Sequence, residues 1–302
     1  MSLIAIVLIV MSAFVHAGWN LIGKRQNPTA GFFLIANAVG MACILPFLFY
    51  NWEDLALIPQ SVWIRALVSG FFYFVFCAAL AGAYRAGDMS VAYPFALSSP
   101  VIFITAFSLL LGRGQDMSGW GLIGIATVAF GCFILPMKQF RDIRLETYLN
   151  ACCLFALLSG VGIAGLTIAD YEALHIIRDL PGTPFGPIDG PLTYITFVAI
   201  FGSLLLLLFV LLNRWERTSF VDVFRTSKGS AAFMGIGIYL SYGFVLVSML
   251  YVTNISYLAA FRQLSIPLAA SFGIVLLKEP RYLPKLLGVL AVYGGLVLVG
   301  MG

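Results

Sequence analysis

The sequence predicts an all-α integral membrane protein whose ten transmembrane helices form two inverted five-helix repeats. Hydrophobic residues make up 61% of the 302 positions and charged residues only 10%, whereas a water-soluble domain carries about 25% charge. Apolar runs of about 20 residues, the length that crosses a bilayer as a helix, recur between short polar breaks. An internal match also relates the two halves of the chain.

Ten apolar runs are predicted to span the membrane. They cover residues 2–22, 30–50, 62–84, 90–111, 118–137, 147–167, 191–213, 229–250, 256–277 and 283–301. We expect the first run to be a retained helix rather than a signal peptide, because its basic pair follows the apolar stretch instead of preceding it. Most connections are short. The exception is 170–191, where helix-like spacing gives way to Pro and Gly, and we expect an interfacial half-helix or a flap there.

The internal match emerges when the sequence is shifted by 167 residues. This shift places the pattern L-S-x-P at 97–100 over the same pattern at 264–267, and it pairs the fourth run with the ninth and the fifth with the tenth. The predicted repeats are therefore 1–140 and 146–302. Because five is an odd number, the second repeat crosses the membrane in the opposite sense, which predicts a binding site at the repeat interface.

Lysine and arginine are distributed unequally between the two predicted sides of the membrane. The connections after runs 1, 3, 5, 7 and 9 hold thirteen of them and the opposite side holds three. The positive-inside rule therefore predicts that both termini lie outside the cytoplasm. Because these basic residues are scattered over short loops, we exclude nucleic acid as a partner.

The sequence carries none of the usual signatures of catalysis. It has no nucleophile elbow, P-loop, metal-ligand cluster or Gly-rich dinucleotide motif. All five cysteines lie in apolar runs without a Cys-x-x-Cys pair, so neither a disulfide framework nor a metal site is expected. We therefore expect a protein that is not an enzyme and that uses no cofactor or metal.

Arg262 is the outstanding polar residue of the apolar runs. It lies six residues into the ninth run, beside Gln263 and three residues before Ser265. A charge near the bilayer centre costs at least about 2.5 kcal/mol, so it needs a partner or a wet cavity. One interpretation is an arginine that snorkels to the interface or bonds a helix carbonyl. The other is a cavity-facing cation that binds an anionic group of a substrate.

The first run carries a polar stripe of Ser12, His16 and Asn20, which share one helical face at intervals of four. His16 is interpreted either as a hydrogen-bonding group between helices or as a proton relay. Two tyrosines, Tyr93 and Tyr242, lie a turn or more inside their runs and are further cavity candidates. The predicted substrate-binding residues are Arg262, His16, Asn20, Gln263, Ser265, Tyr93 and Tyr242.

These features resemble the drug/metabolite transporter (DMT) superfamily, in particular its EamA-like branch. The resemblance lies in HAGWNLIGKR at the end of run 1, GVGIAGLTIADYEAL at the end of run 6, and SYLAAFRQLSIPLAASFGIVLLKEP for run 9. It implies a central cavity, alternating access and cytoplasmic termini, the last of which disagrees with the charge count. Glu279 matches the family's acidic residue at the end of the fourth helix of a repeat, whereas Gly112 and Arg113 stand there in the first repeat.

The predicted function is secondary active transport of a small polar metabolite, such as an amino acid or another carboxylate or anionic solute, with proton coupling as an option. We expect a multi-pass protein of the bacterial inner (plasma) membrane. One alternative is a lipid or lipid-precursor flippase, which would open laterally toward the bilayer. A weaker alternative is a membrane-embedded lipid-modifying enzyme that pairs His16 with Asp88 or Asp170, although both acids are expected near helix ends.

Overall fold

The structure is a computed structural model that describes residues 2–23, 28–86, 89–110, 112, 117–140, 150–276 and 280–301. Its regular structure is helical, which confirms the predicted all-α class. A short 3-10 helix, Glu53–Leu57, follows the second α-helix. The α-helices are α1 (Leu3–Gly23), α2 (Ala30–Tyr50), α3 (Gln60–Ala86), α4 (Met89–Leu110), α5 (Gly119–Ile134), α6 (Ala151–Arg178), α7 (Asp189–Leu212), α8 (Arg214–Thr226), α9 (Lys228–Met249), α10 (Ile255–Arg262), α11 (Ser265–Leu276) and α12 (Leu283–Met301).

Six of these helices are long and apolar enough to cross a membrane, namely α2, α3, α6, α7, α9 and α12. Large apolar side chains also cover outer faces of the bundle, as Leu204, Leu208 and Leu211 do on α7. A broad exposed apolar surface is unusual for a soluble monomer and suits contact with lipid. Length and composition thus indicate a multi-pass integral membrane protein, in agreement with the sequence prediction.

Several helices begin at a polar side chain that accepts a hydrogen bond from the first turn. Thr29 accepts from Phe32 N at the start of α2, and Ser118 from Gly121 N at the start of α5. Asn150 does the same for α6. Such caps satisfy backbone N–H groups that have no partner inside the helix. They explain why these helices begin where the sequence changes from polar to apolar.

The prediction of a half-helix or a flap at 170–191 is wrong for residues 170–178. The sixth run does not end near 167, because α6 continues to Arg178 and spans 28 residues. At 1.5 Å per residue this is about 42 Å, longer than a hydrocarbon core of about 30 Å. The helix continues because its acidic residues find partners: Asp170 bonds hydroxyls of other helices, and Glu172 pairs with Arg65. Only 179–188 forms the connection to α7.

The ninth run is helical but not continuous, contrary to the prediction of one helix over 256–277. It consists of α10 and α11, separated by a turn at Gln263 and Leu264. Pro267 has no backbone N–H and therefore cannot bond the carbonyl of Gln263, which interrupts the helical ladder at this depth. At the break, the Ser265 hydroxyl donates a hydrogen bond to the Arg262 carbonyl at 3.1 Å.

The connection after the seventh run is a helix, α8, rather than a loop. Asn213 caps it by accepting from the backbone of Trp215 and Glu216. Its inner face packs on the start of α2, where Ser219 donates to Thr29 Oγ1 at 2.9 Å. The opposite face is exposed, so α8 lies at one end of the bundle rather than across it.

Candidate functional site

A cavity of about 850 Å³ lies among α1, α3, α4, α6, α7, α9, α10 and α11. It reaches the end of the bundle at which α1, α3, α5, α7 and α11 finish, since Pro28 and Lys285 belong to its wall. We call this end the basic side, because the basic connections follow those helices. At the other end, no described residue of the connections 51–59, 179–188 and 250–254 lines the cavity. The cavity therefore opens toward the basic side, and we call the other end the closed side.

Asp170 is the buried carboxylate of this cavity, with no exposed surface. Its Oδ1 accepts from the hydroxyls of Ser69 at 2.5 Å and Tyr194 at 2.9 Å. Its Oδ2 accepts from the Tyr242 hydroxyl at 2.5 Å. These donors lie on α3, α7 and α9, so one side chain of α6 is bonded to three other helices. An ionised carboxylate only accepts hydrogen bonds, and the three hydroxyls supply the donors that it needs.

Arg262 is the last residue of α10, and its guanidinium faces the same cavity. The C-terminal end of a helix carries partial negative charge, which favours a cation there. Nη1 donates to Thr167 Oγ1 at 3.2 Å. Thr167 precedes Asp170 by three residues on α6, so the hydroxyl that Arg262 contacts and the carboxylate of Asp170 lie next to each other on one face of that helix. Within the described part of the chain, this is the one hydrogen bond that the guanidinium donates.

Arg262 and Asp170 do not form a direct ion pair. Ion pairs among the described residues include Arg65–Glu172, Arg85–Glu216 and Arg178–Asp179. Tyr242 instead lies between the two charges, since its hydroxyl bonds Asp170 and its ring centroid is 5.3 Å from the guanidinium carbon. A guanidinium has five N–H donors, so Arg262 retains donors that can bind a carboxylate or phosphonate entering the cavity.

A second polar group borders the cavity between α2, α7 and α9. The Tyr239 hydroxyl donates to Asn37 Oδ1, and the Asn37 amide donates to Ser203 Oγ and to the Ala199 carbonyl. Tyr239 and Ala199 line the cavity, whereas Asn37 is buried behind them. Polar bonds of this kind hold membrane helices together where lipid supplies no hydrophobic drive. This group therefore stabilises the wall.

The closed side is held by bonds from α6 to the connection between α9 and α10. The Tyr171 hydroxyl donates to the carbonyls of Val252 at 3.3 Å and Thr253 at 2.9 Å. Nη1 of Arg178 donates to the Leu250 carbonyl at 2.9 Å. Both donors lie on the same helix as Asp170. The segment that closes this side is thus bonded to the helix that carries the buried carboxylate.

The structure brings together most of the residues that the sequence singled out. Arg262, His16, Gln263, Ser265 and Tyr242 all line the cavity. In the predicted stripe on α1, Ser12 also lines it and donates to the Ser241 carbonyl of α9 at 2.8 Å. The side chains of Asn20 and Tyr93 lie outside the described residues, as does Asp88.

Asp170 is the main residue of the cavity that sequence reasoning did not place there. The enzyme hypothesis pairs Asp170 with His16 and predicts that it lies near a helix end. That prediction is wrong, since Asp170 is eight residues before the end of α6 and fully buried. A signal was present: Asp170 follows Thr167 at helical spacing directly after an apolar run. Its donors Ser69 and Tyr194 gave no signal of their own.

Comparison with known proteins identifies the fold but no family. No protein-family model and no curated protein matches the chain. One solved structure, described as the crystal structure of a protein, is similar over 98% of this chain and 96% of its own, with a TM-score of 0.63 and 14% sequence identity. A likeness at this level of identity concerns the fold alone.

Proposed function

We propose that the protein is a secondary active transporter, not an enzyme, and that it moves a small polar solute with a carboxylate or similar anionic group by alternating access. The observation that carries the proposal is Arg262, a guanidinium that faces a one-sided cavity without a direct carboxylate partner among the described residues. The volume of about 850 Å³ suits a small metabolite, because ligand pockets usually measure about 300–1,000 Å³.

The proposed architecture is ten spans in two inverted repeats, 1–140 and 146–302. Helix α8 is not counted as a span, so α9 is the eighth span, α10 and α11 together are the ninth, and α12 is the tenth. The helix contacts support this architecture: when every span is replaced by the span five places away, each of the following contacts becomes a contact that is also present. The contact of α3 with α6 corresponds to that of α9 with α1, and α3 with α7 to α9 with α2. The contact of α4 with α6 corresponds to that of α11 with α1. The pairs α2–α7 and α5–α12 correspond to themselves.

Inverted repeats favour a transporter because they supply two alternative arrangements around one central site. An enzyme with a single site does not need this duplication. The resemblance to the EamA-like branch of the drug/metabolite transporter superfamily agrees with such a protein and remains part of the proposal. Under the positive-inside rule the cavity opens toward the cytoplasm of a bacterial inner membrane.

The anion would be bound between α10 and α11, where the helix is interrupted. The guanidinium of Arg262 offers paired N–H donors that match the two oxygens of a carboxylate. Gln263 and Ser265 line the cavity beside it. The first turn of α11 begins at Ser265, and the partial positive charge of a helix N-terminus adds to the attraction. His16, Tyr242, Asn20 and Tyr93 complete the proposed site.

Counterflow in proteoliposomes tests the proposal. Purified protein would be reconstituted and preloaded with each member of a panel of carboxylates, phosphonates and organic cations, and exchange of the labelled solute would be measured. We expect carboxylates or phosphonates to exchange and cations not to. Exchange of cations alone would contradict the anionic substrate class. Scrambling of labelled lipid without solute exchange would favour a flippase, and product formation in detergent would favour an enzyme.

A further inference from the structure

Asp170 connects four helices at the boundary between the open cavity and the closed side. It lines the cavity itself, while the next residue, Tyr171, bonds the connection that closes the other end. Three hydroxyls from α3, α7 and α9 tie it in place. A carboxylate inside a membrane is costly, and residues of this kind commonly mark ion or proton pathways.

The hydrogen bonds around Asp170 depend on its being ionised. Each partner donates an O–H, and an ionised carboxylate can accept all three. A protonated carboxyl carries a donor of its own, and its oxygens accept hydrogen bonds less strongly than those of a carboxylate. Protonation therefore weakens or reverses at least one hydrogen bond between α6 and α3, α7 or α9.

Loosening these ties acts on the closed side through α6. Tyr171 and Arg178 lie on that helix and hold the carbonyls of 250–253. A shift of α6 relative to its neighbours moves both donors together, because they share one continuous helix. The closed side is thus bonded to α6, and the hydrogen bonds that hold α6 to its neighbours depend on whether Asp170 carries a proton.

The charges around Asp170 are few. Arg262 is the cation of α10 that faces the same cavity, and His16 reaches the cavity from α1. The described side chains of α4 carry no titratable group. The other titratable or charged groups on the helices packed around Asp170 are Arg65, Tyr73, Cys77, Tyr84 and Arg85 on α3, Asp189 and Tyr194 on α7, Lys228, Tyr239 and Tyr242 on α9, Tyr257 on α10, and Cys152, Cys153, Tyr171, Glu172, His175 and Arg178 on α6 itself.

We propose that Asp170 is the binding site of the coupling proton, which reaches it from the open cavity, and that its protonation releases α6 so that the closed side opens. The inference rests on the proposed transport function. It differs from the sequence hypothesis by placing the proton on Asp170 rather than on His16. The step moves one proton from cavity water to a carboxylate oxygen and needs no other reactant.

Transport assays separate the coupling proton from solute binding. In proteoliposomes with an imposed pH gradient, Asp170→Asn should lose at least about tenfold of gradient-driven accumulation while still exchanging solute in counterflow. Asp222→Asn is the matched control, because Asp222 is exposed on α8 outside the cavity. Gradient-driven accumulation that survives in Asp170→Asn would overturn the inference. Loss of that accumulation in His16→Gln together with its retention in Asp170→Asn would assign the proton to His16 instead.

Thiol labelling tests the opening step without any substrate. Cys43 is the exposed native cysteine, so the background carries Cys43→Ala. Val252→Cys places a thiol at a buried position of the closed side, and Thr253→Cys places one at the exposed neighbour. The ratio of the two labelling rates cancels the pH dependence of the reagent. This ratio should rise at least about fivefold between pH 8 and about pH 5, and it should be high and independent of pH with Asp170→Asn.

A second variant keeps the labelling test decisive when Asp170→Asn does not fold. Tyr194→Phe removes one donor to the carboxylate but preserves the ring, so the ionised form is less stabilised and the midpoint of the labelling ratio should move to higher pH. A ratio that does not change with pH, or a midpoint that Tyr194→Phe leaves in place, would overturn the inference. Failure of the transport function is a separate outcome, in which the protein exchanges no carboxylate or phosphonate although the labelling ratio responds to pH.

Discussion

The guanidinium carbon of Arg262 lies 5.3 Å from the ring centroid of Tyr242, near enough for a cation–π contact. The hydroxyl of the same tyrosine donates to Asp170 at 2.5 Å. Tyr242 therefore contacts both Arg262 and Asp170, the first through its ring and the second through its oxygen. A ligand that binds Arg262 enters beside the side chain that stabilises the carboxylate, and this arrangement leads to two separable mutational predictions.

Arg262→Ala should lower counterflow of an anionic solute at least about tenfold, because it removes a charge-assisted, paired hydrogen-bond donor. The protein should remain folded in the membrane. Arg262→Lys keeps the charge but loses the planar fork, so we expect a partial defect. Arg225→Ala is the matched control, since Arg225 is exposed on α8. Normal counterflow by Arg262→Ala would rule out Arg262 as the anion-binding group.

Tyr242→Phe should separate the two roles of the tyrosine. The ring that faces Arg262 remains, so the KM for the anionic solute should change little. The buried carboxylate loses one of its three donors, a loss of about 1–3 kcal/mol, and the maximal transport rate should fall several-fold. Measuring KM and maximal rate separately checks this, with Tyr293→Phe on α12 as the control. A higher KM at an unchanged rate would show that the hydroxyl contacts substrate instead.

The helices were largely predictable because they depend on local composition. Each of the ten predicted runs contains a helix. The cap Thr29 stands in the polar break before the second run, and the cap Ser118 is the first residue of the fifth. The cap Asn150 lies inside the predicted sixth run, so α6 begins at Ala151 rather than at 147. The errors occur where distant residues change the outcome. Segment 170–178 was expected to belong to an interfacial half-helix or a flap, yet it continues α6, where hydroxyls from α3, α7 and α9 bond Asp170 and the guanidinium of Arg65 pairs with Glu172.

The cavity was predictable only in part for the same physical reason. Arg262 and His16 stand out because they interrupt apolar runs, and a polar residue there needs protein or water. Ser69 and Tyr194 are ordinary residues of membrane helices, and their importance arises only when the fold brings them to Asp170 across 101 and 24 residues of sequence. The turn between α10 and α11 was not predicted, because Pro267 lies in an otherwise continuous apolar run.

Gly295→Ala should destabilise the protein, whereas the neighbouring Gly294→Ala should not. A Cβ at Gly295 would lie 2.8 Å from the Gly124 carbonyl oxygen and the Val128 nitrogen, so α5 and α12 would have to separate. Overpacking of this kind costs about 1–3 kcal/mol. A Cβ at Gly294 meets no described atom within 4 Å, and alanine is the better helix former there. Thermal unfolding in detergent checks the pair, and equal melting temperatures would contradict the close approach.

The stability of the contact between α8 and α2 should depend on pH through Glu216. Its Oε2 accepts from Gly31 N at 3.4 Å, and Oε1 lies 4.0 Å from Arg85 Nη1. Burial raises the pKa of this carboxyl, more than the Gly31 bond and Arg85 lower it. The folded state therefore holds the proton more tightly than the unfolded state, and the stabilisation is lost as the pH rises through the raised value. Glu216→Gln, which titrates in neither state, should gain in melting temperature over the parent protein between about pH 4 and about pH 8. A difference that stays constant over this range would show that folding does not raise the pKa of Glu216.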